Sequence, residues 1–458
     1  NIYNDGNCGL GRMDDFSFAT ICNSVGATIS DLEMSLRGVG YQDKPTTLIV
    51  DQIPTISLSL IRVFTEYANT MTGYNFAVKY MGILDQPTES DIVALGGIPI
   101  KFSNSPFQDL IGATFLHAPF YGIDLNHFVK SYFIIEIANV LSFLMYEFNK
   151  NAEWSTNPLL FELPGVTEAS SISIQALSEL VSFISQQLNI NSQMNAAWRN
   201  PKFPSVFYHL LLKSVTPFLR KTAIFFYARC AKDYVPQQLP EFESYVEADR
   251  LCDFLNIPHL DSTLVGMCGK GTESQDSTML VKECMNHIKS WPPSHLSIEY
   301  PGIVKLLKLS KRLDEIFLLP ILRPTNRDQS IPEPAFCLFC GELIKVQQKP
   351  DRAKSDMGYC NLHRESCGRN IGIFLLPKRA SILFLNGSQG SFMPAPYLDL
   401  HGESEDTMSL GCRRGRPQYL SKARYDHLVK YFWLQHGIPD YIARKLYATL
   451  DVGGWDTL

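Results

Sequence analysis

The chain has 458 residues, 45% of them hydrophobic and 12% aromatic, enough to fill large cores in about two to four domains. Only 19% are charged and the net charge is −5, which gives no long-range pull on nucleic acid or an anionic membrane. Eleven cysteines in so long a chain exclude a small disulfide scaffold, and reduced thiols beside a metal cluster place the protein in the cytosol or nucleus.

Residues 1–150 read as mostly helical. Asp15 caps a segment through Phe16, Ala19 and Ile21, and Ser30 and Asp31 open a second one that stops at Gly38. Ser57 to Ala68 carries Leu58, Leu60, Ile61, Phe64 and Tyr67 at helical spacing. Gly96-Gly97-Ile98-Pro99 reads as a loop. Asp124 caps a long segment from Leu125 to Asn149. Its apolar stretch Tyr132–Phe148 is broken by Glu136, Asn139 and Glu147 and is shorter than the ~20 clean residues a bilayer span needs. A buried helix is expected there.

Residues 151–330 continue the helical body. Ile174 to Leu188 puts Leu177, Leu180, Val181, Ile184 and Leu188 on one face. Ser205–Ser214 and Phe218–Ala231 form two segments separated by Pro217, and Phe242–Leu255 forms another. Gly269–Ser277 reads as a loop. Ile303–Phe317 reads as a connecting amphipathic helix with a basic outer face at Lys308, Lys311 and Arg312.

After residue 331 the composition shifts to cysteine, glycine and short β-type runs. Ile371–Leu376 and Ser381–Leu385 are two strands joined through Pro377–Ala380, with Asn386-Gly387 ending the second. Lys422–Gln435 is a helix. The expected fold class is therefore mainly α: a large helical body, then a small zinc-stapled α+β cap domain over 331–458.

That cap carries the densest signal in the chain. Cys337-x2-Cys340, Cys360, His363 and Cys367 place five soft-metal donors within residues 337–367, whereas the other seven of the 11 cysteines are scattered. Zinc takes four such ligands in a tetrahedron, supplied by knuckles at these spacings. The first ligand set is Cys337, Cys340, His363 and Cys367, the last two one helical turn apart. Cys360 is the spare, able to replace Cys367 or His363. Four protein ligands leave no open position, so the Zn2+ is structural. No catalytic residue and no other cofactor site is expected.

Weaker signals resolve to bland readings. Arg413-Arg414-Gly415-Arg416-Pro417 contains a minor-groove hook motif, but in an acidic chain a turn pairing with Glu403, Glu405 or Asp406 is favoured. Cys412 near His401, with Asp399 and Glu403, could form a thiol–imidazole pair, but a packed thiol is the commoner outcome. Gly266–Gly271 lacks the Lys-Ser/Thr of a phosphate loop. Trp433 and Trp455 read as core aromatics, and Asp451–Leu458 as a docking tail.

Three stretches carry a family resemblance. They are Cys360-Asn-Leu-His363-Arg-Glu-Ser-Cys367-Gly-Arg-Asn-Ile-Gly-Ile-Phe-Leu, then Pro396-Tyr-Leu-Asp-Leu-His-Gly-Glu403 with Arg413-Arg414-Gly415 and Pro417, and last Asp451-Val-Gly-Gly-Trp455. Together they resemble the C-terminal end of the N-recognin ubiquitin ligases, the UBR-box proteins of the N-degron pathway, with the fungal branch nearest. Pro217-Phe-Leu-Arg-Lys-Thr-Ala-Ile-Phe-Phe and Glu247-Ala-Asp-Arg-Leu-Cys-Asp-Phe-Leu are also similar. The resemblance implies a RING-type ligase that works with a ubiquitin-conjugating enzyme, ubiquitin and N-degron substrates. It implies that this chain is the tail, packing on RING and UBR-box modules upstream of Asn1, with no nucleic acid or membrane partner. The rival expectation is a stand-alone helical adaptor with a structural zinc domain.

Overall fold

In the computed structural model the described residues are 15–38, 48–81, 105–117, 125–150, most of 158–190, 198–229, 246–270, 274–290, 306–317, 333–346, 358–368, 371–387, 389–404 and 416–448. The Gly96–Pro99 loop, Asp124, Cys412, Arg413–Gly415 and Asp451–Leu458 lie outside them. The chain divides into two units. The first comprises 1–143, 169–190 and 215–296, and the second 144–168, 191–214 and 297–458.

The first unit is helical. Asp15–Gly38 is one helix, not the two expected, and Thr55–Met81 contains the Ser57–Ala68 segment. Leu125–Lys150 is long and apolar enough to cross a bilayer, yet 89% of its most apolar stretch is buried in protein. Ring contacts fix its packing, with Phe133 stacked on Phe218 at 6.2 Å. Pro217 lies inside a continuous helix, Phe203–Arg229, rather than breaking it. Val215, Phe218 and Leu219 beside it are all buried, and that apolar burial outweighs the hydrogen bond that proline forfeits. From the same helix Arg220 donates to Glu247 through Nε (2.8 Å) and Nη2 (2.7 Å), and to Glu33 through Nη1 (3.2 Å). The two upstream stretches that carried the resemblance thus meet in one buried ion network. The Gly269–Ser277 loop is shorter than expected, because a helix begins at Ser274.

The second unit holds an antiparallel sheet. Its strands are β1 (Pro334–Cys337), β2 (Leu343–Lys345), β3 (Ile371–Leu376), β4 (Ser381–Asn386) and β5 (Gln389–Pro394), in the order β2-β1-β3-β4-β5. β3 and β4 are the expected strands, and Pro377–Arg379 with Ala380 at φ 46° makes the turn between them. Asn386-Gly387 ends β4 as expected, but the chain then returns as β5. Cys337 faces Phe374, and Phe374 faces Leu383, in register. The period of two places all three on one face of the sheet. Phe384 is on the opposite face, against Phe432 (5.4 Å) and Tyr441 (5.8 Å). Those rings come from a helix that opens at Lys422, widens to π geometry over Leu428–Leu434, and is followed by Gly437–Ala448.

Over the described residues 306–317, the expected connecting amphipathic helix is not formed. Residues 306–311 carry no helix or strand, Arg312 makes an isolated bridge to Tyr419, and only Leu313–Phe317 is helical. Distant partners take up the backbone groups a helix would have used. Leu307 N–H donates to Leu338 (2.8 Å), Leu420 N–H to Lys311 (2.8 Å) and Leu313 N–H to Gln418 (3.0 Å). Tyr425 and Tyr397 hydroxyls donate to the carbonyls of Leu307 (2.8 Å) and Ser310 (3.0 Å). β6 (Tyr397–Leu398) and β7 (Tyr419–Leu420) pair beside this segment.

Phe384 is fully buried between β3, β5 and the two aromatic rings. Phe384→Ala is expected to cost about 3–5 kcal/mol, read as a lower midpoint of thermal unfolding with the near-UV aromatic signal lost first.

Candidate metal centre

The Cys/His cluster is assembled by a hairpin and a short helix. β1 ends at Cys337, and the chain turns through Leu338-Phe339-Cys340-Gly341 before pairing back as β2. Gly341 N–H donates to Cys337 carbonyl at 2.9 Å, and Cys337 N–H to Glu342 carbonyl at 3.0 Å, which closes the knuckle. Gly341 sits at φ +83°, and a Cβ there would lie 3.1 Å from Leu307 Cδ1. The backbone conformation favours glycine, and a side chain there would also have to displace the end of Leu307. His363 ends the Tyr359–His363 helix, and a π turn over Arg364–Gly368 carries Cys367 onto the same side.

The donor atoms of Cys337, Cys340, His363 and Cys367 all lie within 4.8 Å of one another. Cys337 Sγ is 3.9 Å from Cys367 Sγ, and Cys340 Sγ is 3.3 Å from His363 Nε2. A zinc–sulfur bond of about 2.3 Å makes the sulfur–sulfur edge of a tetrahedron about 3.7 Å, and the sulfur–nitrogen edge about 3.5 Å. These two separations, 3.9 and 3.3 Å, lie close to those edges. A disulfide, at about 2.05 Å, does not. The cluster can hold one metal ion of zinc type.

Cys360, the spare candidate, is not in this group. It is fully buried in the apolar core with Ala335, Ile344, Phe374 and Leu383, and burial pushes its thiol up to about 12.

Charge distribution in the cluster is uneven. A hydrogen bond from Cys367, with the N–H groups of Cys340 and Phe339, holds the Cys337 thiol down to about 5. That bond and the resulting negative charge push Cys367 well above the ordinary thiol value. Partial burial raises Cys340, whose sulfur is turned in against His363. Two thiolates 3.9 Å apart would repel by about 4 kcal/mol at an effective dielectric constant near 20. Three thiolates coexist here only with a cation among them.

Glu342 is the residue that spacing rules do not single out. Its Oε2 is 3.2 Å from His363 Nδ1, on the side of the ring opposite Cys340. Carboxylates in this position fix the tautomer and aim of a metal-binding imidazole. Its backbone N–H also donates to Cys340 Sγ at 3.4 Å. The clue in the sequence was an acid directly after the knuckle glycine.

His401 and Glu403 lie in a turn where Asp399 Oδ1 accepts both their N–H groups at 2.9 Å. Arg416 reaches Asp399 Oδ2 at 3.4 Å and Glu403 at 3.8 Å. Trp433 packs its ring 4.9 Å from Phe339 in the knuckle.

Fold and site define a class: a mainly helical chain with a small antiparallel sheet near its C-terminus and, among the described residues, one Cys3His cluster that could hold zinc. The chain belongs to the Proteolysis_6 C-terminal family, whose profile matches residues 9–435. It is 39% identical over 262 residues to the E3 ubiquitin-protein ligase ubr1 of Schizosaccharomyces pombe, covering 57% of this chain and 13% of that protein. It is 36% identical over 202 residues to the E3 ubiquitin-protein ligase UBR1 of Drosophila melanogaster (43% and 10%). It is 29% identical over 252 residues to the human E3 ubiquitin-protein ligase UBR2 (53% and 14%). The chain thus spans between 10% and 14% of the length of these relatives. The motif resemblance to the C-terminal end of N-recognins agrees with both findings.

Two outcomes are expected. With Cys337 already ionised at neutral pH and Cys340 and Cys367 still protonated, zinc must displace about two protons. Between pH 8 and pH 7 its affinity should then fall about 100-fold, and calorimetry in buffers of different ionisation enthalpy counts the protons directly. Glu342→Gln should weaken zinc about 10- to 100-fold in a competition titration with a chromogenic chelator, without unfolding the loaded protein.

Proposed function

We propose that this chain is the C-terminal scaffold and zinc cap of a RING-type ubiquitin-protein ligase that recognises proteins with destabilising N-terminal residues. The carrying observation is the family match over 9–435, together with relatives that are named E3 ubiquitin-protein ligases. The whole ligase engages a ubiquitin-conjugating enzyme, ubiquitin and N-degron substrates, and works in the cytosol or nucleus, where thiols stay reduced. This chain supplies no covalent catalyst. It packs on the RING and UBR-box modules and holds them in register.

The chemistry of the donor set supports a structural ion. Cys337, Cys340, His363 and Cys367 would fill all four zinc positions and leave none for water or substrate. Such an ion contributes folding free energy, on the order of 10 kcal/mol, which a domain of short strands needs. A cross-braced RING takes about twice as many ligands as this single cluster. Among the described residues no second cluster of metal geometry is present, and the proposal assigns the RING to another part of a longer polypeptide. The division into a helical region over 1–150, a helical body over 151–330 and a cap over 331–458 is part of the same proposal.

The test is a ubiquitination assay with the full natural polypeptide, a conjugating enzyme and a reporter carrying a destabilising N-terminal residue. Removal of 331–458, or Cys340→Ala, should lower turnover at least about tenfold through loss of the zinc-dependent fold. Unchanged turnover would end the cap's proposed role. A full polypeptide that transfers no ubiquitin at all would favour the stand-alone adaptor.

A further inference from the structure

One helix of the first unit carries apolar residues on two faces. In Thr55–Met81 the inner face is Ile61, Thr65 and Ala68, all buried. The outer face carries Ile56, Leu60, Val63, Phe64 and Tyr67, which are exposed, from 77% for Ile56 down to 44% for Phe64. Glu66 is the one charged residue among the exposed positions of 55–67. Solvent-facing helix surfaces are normally polar, and a contiguous apolar patch rimmed by polar residues marks an interaction site.

The spacing is more specific than the patch. Positions 56, 60, 63 and 67 are separated by four, three and four residues. That is the d-a-d-a seam of a two-heptad coiled coil, filled by isoleucine, leucine, valine and tyrosine, with Phe64 beside it. A seam of this kind accepts the knobs of another helix laid along it. The kind of partner is thereby set: an amphipathic helix about three turns long.

The size of the seam identifies the occupant. Burying these five side chains under a helix removes on the order of 400 Å² from this face, about 800 Å² in total, below the ~1,200 Å² of a stable interface between separate molecules. Two separate copies pairing through this face alone would fall short. A helix on the same polypeptide does not, because tethering raises its effective concentration to about the millimolar range. The relatives supply the missing length, since this chain covers only 13% of the Schizosaccharomyces pombe ligase and 14% of human UBR2. We infer that the Ile56–Tyr67 seam is the seat of an amphipathic helix that belongs to the same polypeptide upstream of Asn1. This rests on the reading of the chain as the tail of a longer ligase.

The test uses the full natural polypeptide with a photoreactive phenylalanine analogue at position 64, irradiated in the native state and mapped by mass spectrometry. The expected result is an intramolecular crosslink to a segment upstream of residue 1 with a heptad apolar repeat. Val63→Asp should reduce it about tenfold, the effect of roughly 1.4 kcal/mol. The same variant with intact helical circular dichroism separates a lost seam from a lost fold. A crosslink to residues 82–104, a product of twice the monomer mass, or no crosslink overturns the inference. Intact mass reads the underlying proposal separately: a natural polypeptide that starts at Asn1 removes both, whereas a long polypeptide with the wrong crosslink removes only the seam.

Discussion

Three sulfurs and one imidazole nitrogen converge within 4.8 Å, on a strand end and a short helix that also pack together through Cys360, Ala335 and Ile344. Such a cluster is unstable as bare charge and stable around a divalent ion. The knuckle holds one strand of the sheet, β1, at Cys337. The His363–Cys367 turn sits over the face that Cys337 shares with Phe374, and the His363 ring is 6.2 Å from that of Phe374. Ligand geometry and sheet packing therefore constrain the same residues. Shifting β1 by one position would turn Cys337 to the other face and dismantle both.

On the proposed reading an ion in this cluster pins the sheet where its first two strands are short. β1 has four residues and β2 three, whereas β3, β4 and β5 have six each. The longer strands bury Ile373, Phe374, Leu383 and Phe384 completely and hold together through apolar contact. The β1–β2 hairpin buries less and relies on the turn at Gly341, the segment at Leu307 and the donor cluster. Glu342 joins these layers, since its backbone pairs with Cys337 and Cys340 while its carboxylate orients His363.

Much of this was legible in the sequence wherever the determinants are local. The β3–β4 hairpin follows from two apolar runs around Pro377–Ala380, and the His363/Cys367 pairing from a four-residue spacing on a helix. Spacing alone left Cys360 able to replace Cys367 or His363, because only the packing of the Tyr359–His363 helix against the sheet buries Cys360 in the core. The failures have non-local causes. Ile303–Phe317 has helical periodicity, but its backbone is claimed by Leu338, Gln418 and Leu420, more than 25 positions away. Pro217 signals a break, but the burial around it holds the helix together. β5 was missed because Gln389–Pro394 contains little β-type sequence and is recruited by the exposed edge of β4.

X-ray absorption at the zinc edge of the purified natural polypeptide tests the ligand set most directly. The expected first shell is three sulfurs at about 2.3 Å and one nitrogen at about 2.0 Å, with the multiple-scattering pattern of an imidazole. Four sulfurs and no imidazole would place Cys360 in the site instead of His363, and a shell of oxygens, or no zinc at all, would contradict a zinc-pinned domain.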